Sequence, residues 1–521
     1  MPADRNVLIP FGARGLNMAA SPAELNTDEL ADSLNWQIDR AGALIKRLGM
    51  QEWSITAPAD ILELMQLAIS GGTTYILAHC ADGHVYWTTD GTAWTSIDSG
   101  ISTTLRVGWV QYLDKLYYCD GTNTWRQWDG TTLTTFGGMI KGRYCTIWRN
   151  RLWVVESTSA RTIAWSKAGD PTDFTTYTLN TISFPDDTEI TAIAAIENVG
   201  SGSDGADGVL VFSKRRIHRI YDDTDNVAGA IIGGANTLVD SGTGCLSRRS
   251  IAQVDGRTFF LASSGIYSTD GRSQAREESA KLRPLFATMA WDQAGDFVGI
   301  SYRGRYLFGY TTTGGAENSL LLECYIDHGR SAGGYPWMAH DLPVRSWVRT
   351  ATATGDVLYS VDGSTADAGF VRLLFTGGYD VDHEASQNPI RASAKTGALL
   401  MGVNSPKRVR RVELFGRGDI TVAVSADLSD TAGESQLYPL GVSGRVWGLP
   451  DTWGVGIWGP GGKATNKARY FSTKGRFLAF ELINSSTDTA SADRALGYAG
   501  AAVGGAAAYT VVAKITPLDA D

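Results

Sequence analysis

At 521 residues the chain is longer than one ordinary core requires, so two domains, or one large domain with additions, are expected. Hydrophobic residues at 43% and charged residues at 19% exclude a globally disordered chain, and a net charge of −9 excludes a broadly basic, sequence-reading DNA protein. Sixty glycines, 16 Trp, 20 Tyr and 16 Phe against only 15 Pro describe tight turns between short packed segments, which predicts an all-β protein.

The first ten residues hold Asp4 and Arg5 and no apolar run of signal-peptide length. Ser21-Pro22-Ala23-Glu24 has the form of a capping box with Pro at the first helical position, and predicts a short polar helix or turn through Leu34. The segment 1–55 is otherwise read as extended. From Ile61 to Leu374 short alternating runs end in Gly, Asp and Asn, as in Tyr75-Ile76-Leu77-Ala78, Lys115-Leu116-Tyr117-Tyr118 and Arg305-Tyr306-Leu307-Phe308. Asp90-Gly91, Asp120-Gly121, Asp129-Gly130, Asp270-Gly271 and Asp362-Gly363 suit type I′ hairpin turns. A second recurring element is a basic turn before an aromatic strand, at Arg149-Asn150-Arg151 and Arg303-Gly304-Arg305. Repeats of four short strands predict a β-propeller of six or seven blades over 56–377, with Trp94, Trp125 and Trp153 packed within or between blades.

Residues 378–400 are polar and read as a linker or crossover. Residues 401–521 read as a C-terminal β-sandwich or barrel, with strands near Val409, Ile420, Phe477 and Tyr509. The uncharged Gly/Ala stretch 495–513 is read as a loop feeding the last strand, because Ala and Gly give little transfer energy for a membrane span. Residues 401–480 hold 11 Lys and Arg against 6 Asp and Glu, a net of +5, so the remainder carries −14. A basic module on an acidic body points to docking between complementary surfaces; solvated strand edges carrying gatekeeper charges are the plainer alternative.

Few patterns carry chemistry. Cys80, Cys119, Cys145, Cys245 and Cys324 are odd in number and form no CxxC, so neither a disulfide framework nor a zinc site is expected, and no cofactor is implied. His79 and His84 flank an Ala-Asp-Gly turn and are read as hairpin neighbours rather than metal ligands. Asp222-Asp223 and Glu277-Glu278 are read as solvated turn residues. Thr88-Thr89-Asp90-Gly91-Thr92-Ala93-Trp94 resembles, one residue compressed, the Asp-box of sialidase propellers. That box is a folding element and not a catalytic one. Three arginines for a sialidase site could be drawn from Arg215, Arg249 and Arg303, but no spacing selects them.

A resemblance covers the whole chain in order. Gly15-Leu16-Asn17, Leu34-Asn35-Trp36 and Gly42-Ala43-Leu44-Ile45-Lys46-Arg47-Leu48-Gly49 look like the opening of bacteriophage tail proteins. Arg410-Arg411-Val412-Glu413-Leu414, Val422-Ala423-Val424-Ser425-Ala426-Asp427, Trp458-Gly459 and Lys474-Gly475-Arg476-Phe477-Leu478 are similar to segments at their far end. The nearest group is the nozzle, or packaged-DNA-stabilisation, proteins of short-tailed phages. The resemblance implies a non-enzymatic virion subunit made in the host cytoplasm. Six copies would form a ring at the distal tail tube that retains double-stranded DNA and later conducts it, without sequence-specific binding or a membrane span. Its implied partners are its own copies, a tail adaptor or portal-proximal protein, and tail fibre or needle proteins. A host-surface or glycan-binding tail-tip propeller, and a sialidase-like glycosidase, are the alternatives. Candidate subunit-interface residues are Lys407, Arg408, Arg410, Arg411, Trp447, Trp453, Trp458, Lys474 and Arg476, with 1–55 and 401–521 expected around the channel and the propeller as an outer lobe.

Overall fold

The computed structural model describes residues 5–517 apart from 41, 177, 185–188, 198–206, 222–235, 332, 353–354, 364–367, 382–386, 401–405, 418, 428–432, 440–464 and 485–506. The described residues form a seven-bladed β-propeller and a β-sandwich. Blades 1 to 6 are four-stranded antiparallel sheets that follow one another along the chain, from Ile61–Ala68 in blade 1 to Trp337–His340 in blade 6. Blade 7 takes three strands from Ser346–Leu374 and its fourth, Met50–Glu52, from the segment before the propeller. Arg372 pairs with Glu52 and Leu374 with Met50, so the ring is closed by a strand from before blade 1.

Alternating side chains fill the gaps between blades. Met65 and Leu67 of blade 1 meet Leu116, Tyr118 and Trp128 of blade 2. Trp125 of blade 2 meets Leu152 and Val154 of blade 3. Trp153, stacked on Trp165 at 4.7 Å, faces Val209 and Val211 of blade 4. Trp94 is partly buried against the cluster between blades 7 and 1 and donates its indole N–H to the Ile55 carbonyl at 3.0 Å. Each such large side chain contributes about 1.5–3 kcal/mol on burial.

The turns sort by chemistry. Arg149-Asn150, Asp255-Gly256 and Arg303-Gly304 carry positive φ at both residues and join the first two strands of blades 3, 5 and 6, the type I′ geometry. The other Asp-Gly turns differ from expectation: at 90–91 and 129–130 only the glycine has positive φ. There the aspartate side chain accepts backbone N–H groups instead, from Thr92 at 2.9 Å and from Thr131 and Thr132 at 2.9 and 2.7 Å. Asp129, not Asp120, holds the turn equivalent to Asp90; Asp120 lies between the second and third strands of blade 2.

The sandwich joins both ends of the chain. One sheet runs Trp36–Ile38, Leu44–Lys46, Ala507–Pro517, Lys407–Arg417, Thr465–Tyr470, with Arg5–Ile9 also on Ala507–Pro517 and Lys474–Gly475 on Lys407–Arg417. The other runs Leu30–Leu34, Ala392–Thr396, Leu478–Asn484, Asp419–Ala426, Glu434–Pro439. Val412, Leu414 and Ile515 from the first meet Val422, Phe480 and Leu482 from the second, in a core continuous with blades 5 and 6. Two expectations fail here. The helix or turn expected through Leu34 is a turn at 21–24, with the Glu24 N–H on the Ser21 carbonyl at 2.8 Å, but Leu30–Leu34 is a strand, because it pairs with Ala392–Thr396. The region 378–400, read as a linker, holds three strands: Tyr379–Val381, Gln387–Pro389 and Ala392–Thr396. The glycine-rich run at 201–208, whose sequence reads as a surface loop, lies largely outside the described residues, as does the Gly/Ala stretch up to residue 506; the last strand begins at Ala507.

Arg47 fastens the two bodies. Its side chain is fully buried, and it bonds Asp380 through Nη1 and Nη2 at 2.8 and 2.6 Å, Asp341 at 2.8 Å and the Asn35 Oδ1 at 2.7 Å. Burial alone would lower its pKa, but Asp380 and Asp341 raise it further. Replacing Arg47 with Met should therefore cost roughly 3 kcal/mol, because Asp380 is left unpaired in a half-closed site. Equilibrium denaturation of the full chain in urea checks this, and an unchanged midpoint would contradict it.

Candidate functional site

The basic residues of 401–480 concentrate on the strand Lys407–Arg417 and the strands beside it. Val409, Val412 and Leu414 point into the sandwich, which leaves Arg408, Arg411 and Glu413 partly exposed on the outer face. Arg408 stands in register with the exposed Lys474, and Arg411 with Tyr470 and Lys514. A bulge between Val409 and Arg411 turns Arg410 outward, where it is exposed, and its carbonyl accepts the Phe471 N–H at 3.0 Å. Arg411 pairs with Glu413, and Arg476 is exposed.

Lys407 corrects the expected interface set. It is fully buried, its Nζ donates to the Arg476 carbonyl, and burial lowers its pKa. It serves the interior rather than a neighbour. Trp447, Trp453 and Trp458 lie outside the described residues. The strands on either side of that segment are the outermost of their two sheets, Glu434–Pro439 and Thr465–Tyr470. The Arg469 Nε donates to the Leu437 carbonyl at 3.3 Å, so these two strands, each the last of its sheet among the described residues, lie side by side. Leu437 is 52% and Tyr470 75% exposed there, a pair of apolar side chains beside the basic face that the sequence pattern did not single out.

The candidate chemistry in the propeller disperses. His79 is buried with its Nε2 2.8 Å from the Ser102 carbonyl, and burial lowers its pKa; His84 instead lies 3.2 Å from Asp82. Burial raises the thiols of Cys145 and Cys245 to about 12. Among the described residues no group of three His, Cys, Asp or Glu side chains is gathered as metal ligands would be. Arg303 sits in the hairpin between the first two strands of blade 6, whereas Arg249 precedes the first strand of blade 5, so they stand at opposite ends of the ring; Arg215 sits in the turn after Asp207–Ser213 in blade 4. The three do not form one site. Asp222-Asp223 fall outside the described residues, and Glu278 is buried rather than solvated, bonded by Ser268 Oγ at 2.7 Å and Arg330 Nε at 2.8 Å.

One polar knot was not legible in the sequence, because its members come from distant segments. Glu323 is 2% exposed and accepts from Gln37 at 2.9 Å, Tyr325 at 2.6 Å and Arg305 at 2.7 Å, with His340 Nε2 at 2.9 Å. Burial would raise its pKa; Arg305, His340 and Tyr325 outweigh that and hold it well below the ordinary carboxylate range. This knot ties blade 6 to the Trp36–Ile38 strand of the sandwich.

No family model matches the chain, and no curated protein does. Among solved structures it is similar to BBS1N in complex with ARL6DN, at 9% identity and TM-score 0.40, over 66% of this chain and 100% of that one. It is also similar to virginiamycin B lyase from Staphylococcus aureus, at 10% identity and TM-score 0.40 over 63% and 98%. YCF48 bound to D1 peptide matches at 13% and 0.38 over 64% and 99%.

Two predictions follow from these placements. Lys407→Glu should destabilise the chain by about 3–5 kcal/mol, since it buries an anion against a carbonyl, whereas Arg410→Glu should stay within about 0.5 kcal/mol; thermal melts of both variants decide this. The second concerns acid. A carboxylate with a depressed folded pKa contributes stability above its unfolded pKa and loses it as pH falls. The melting temperature should drop between about pH 5 and about pH 3, and the slope should be shallower in Glu323→Gln, which has no such proton to take up. Equal slopes would remove Glu323 from the acid response.

Proposed function

We propose that this protein is a structural, non-enzymatic subunit of a bacteriophage tail, one copy of a nozzle-like ring, probed best as a hexamer, that retains packaged DNA and conducts it on ejection. The observation that carries the reading is the solvent-facing basic face at Arg408, Arg410, Arg411 and Lys474, beside strands that end their sheets among the described residues, with exposed Leu437 and Tyr470. Open edges template pairing with another chain, and the remainder of the chain is acidic enough to receive a basic face from a neighbouring copy. An acidic body also favours slippage of DNA phosphates over adhesion. The resemblance of the opening and closing segments to nozzle proteins supplies the specific role, and with it a virion location and tail-adaptor and fibre contacts.

The propeller and sandwich share one hydrophobic core, which supports a rigid subunit able to bear internal pressure. The test is the assembly state of the full chain by light scattering and electron microscopy. A six-fold ring is expected in wild type, alone or on a tail adaptor. Arg410→Glu/Arg411→Glu should remain monomeric with its melting temperature unchanged. A wild-type chain that stays monomeric with the adaptor present, or a double variant that assembles normally, would overturn docking through this face; turnover of a glycan that is lost on changing one propeller residue would overturn the non-enzymatic reading.

A further inference from the structure

The first strands of successive blades contact one another around the ring, which places them at its axis, and because each blade is an antiparallel meander these strands begin at the same end. The segments that lead into them carry arginines. Arg106 precedes Gly108–Tyr112 in blade 2, Arg248 and Arg249 precede Ala252–Val254 in blade 5, and Arg345 precedes Ser346–Thr352 in blade 7. Their side chains span the axis. Arg248 reaches from blade 5 to the Val107 carbonyl at 2.7 Å and to the Arg143 carbonyl, at the entries to blades 2 and 3. Arg249 donates to the Arg345 carbonyl at 2.7 Å and lies 3.1 Å from Glu63 of blade 1. Arg106 donates to the same Arg345 carbonyl at 3.1 Å and pairs with Asp296, before blade 6, at 3.0 Å.

Donors and acceptors are mismatched here: Glu63 Oε2, 3.1 Å from Arg249 Nη2, is buried without a hydrogen-bond partner, and two guanidinium nitrogens are as well. The Arg249 side chain is 8% exposed, and its Nη1 has no hydrogen-bond partner; nor has the Nε of Arg345, whose nearest carboxylate, Glu317, is 3.6 Å from Nη2. Four guanidinium groups face three carboxylates, and Asp296 is 58% exposed, so its charge is shared with solvent. Burial, then the neighbouring Arg106, lowers the Arg249 pKa to about 9, so its charge is poorly compensated where it stands. A buried guanidinium N–H without an acceptor is costly, and a negatively charged oxygen relieves both the missing bond and the surplus charge.

We propose that this end of the propeller axis binds a small oxyanion, held by Arg249 Nη1 and Arg345 Nε within the field of Arg106 and Arg248. A polymer threading the axis would have to break these cross-axis bonds, so the ligand is a free anion of phosphate or carboxylate type rather than a nucleic-acid backbone. The site is independent of the basic face on the sandwich and of the tail role.

The probe is inorganic phosphate, with acetate as the carboxylate arm, titrated into the full-length chain at constant ionic strength and followed by calorimetry and thermal melting. Saturable one-site binding of one of them is expected, and the stronger of the two identifies the oxyanion type. Arg249→Gln should weaken it at least about tenfold, the loss of a charge-assisted bond. Arg345→Lys retains the charge and the backbone carbonyl but removes the Nε donor, and should weaken binding in the same direction. This second variant decides the matter if Arg249→Gln does not fold. Arg410→Glu should bind as wild type. Absence of saturable binding to wild type, equal affinity in Arg345→Lys, or a loss of binding in Arg410→Glu as large as in the hub variants would overturn the proposal.

Discussion

Arg47 is a fully buried cation whose partners come from three places: Asp380 beyond blade 7, Asp341 beyond blade 6, and Asn35 at the corner of the sandwich. A guanidinium with no exposure holds its charge only if its donors are met, and here four N–H contacts to side-chain oxygens and one to the Leu48 carbonyl meet them. The position matters because of what lies on either side of it in the chain. Leu44–Lys46 belongs to the sandwich and Met50–Glu52 closes the propeller. Both domains are thus completed by one short stretch, and the arginine between them fixes its path. Asn35, at φ 60°, makes the companion corner: its Nδ2 donates to the Arg391 carbonyl at 2.7 Å, while its Oδ1 accepts from Arg47.

Closure from before blade 1 changes how the propeller resists opening. A ring closed only by its last strand could fray at one blade. Here separating blade 7 means removing Met50–Glu52, which is held through Arg47 and the Glu323 knot to the sandwich and to blade 6. The inter-blade packing is made of large, well-filled contacts such as Trp153 on Trp165, so small displacements of one blade are felt by the next. The result is one mechanical unit in which sandwich and propeller unfold together rather than a propeller on a flexible stalk.

The repeat structure was legible because it is written in short-range chemistry. Period-two alternation marked the strands, and the basic turns at Arg149 and Arg303 proved to be inner hairpins with the backbone that such turns need. Strand Leu30–Leu34 was read as part of a short helix or turn because Ser21-Pro22-Ala23-Glu24 carries strong local capping chemistry, and pairing with Ala392–Thr396 overrode it. Residues 378–400 read as linker because strands at the junction bury few apolar side chains; Gln387–Pro389 is exposed throughout and owes its form to backbone pairing with Tyr379–Val381. Of the candidate site, Arg410, Lys474 and Arg476 were placed on the surface as their charge alone would have it. Lys407 was not, since the strand's alternation, which runs inward at Lys407, Val409, Val412 and Leu414, outranks charge. The Arg47 and Glu323 clusters were invisible because each gathers residues hundreds of positions apart, and no local pattern encodes such a meeting.

The two basic regions of the molecule then differ in kind. On the sandwich the cations lie on a strand face broken by the bulge at Arg410, are exposed or partly exposed, and include Arg411 paired with Glu413, so each is screened and worth little alone. At the hub the arginines sit on the segments entering the blades, so the symmetry of the ring, not the period of a strand, brings them together. They lie in a chain that is acidic elsewhere, and net charge gave no hint of them. A cation inside a ring cannot relax toward water as a surface lysine does, and its carbonyl acceptors carry only partial charge. Arginine suits that place because five donors on a planar group can serve carbonyls on two blades at once, as Arg248 does. The same fork that braces the ring leaves an N–H over where no acceptor meets it, so bracing and anion affinity arise from one geometric cause.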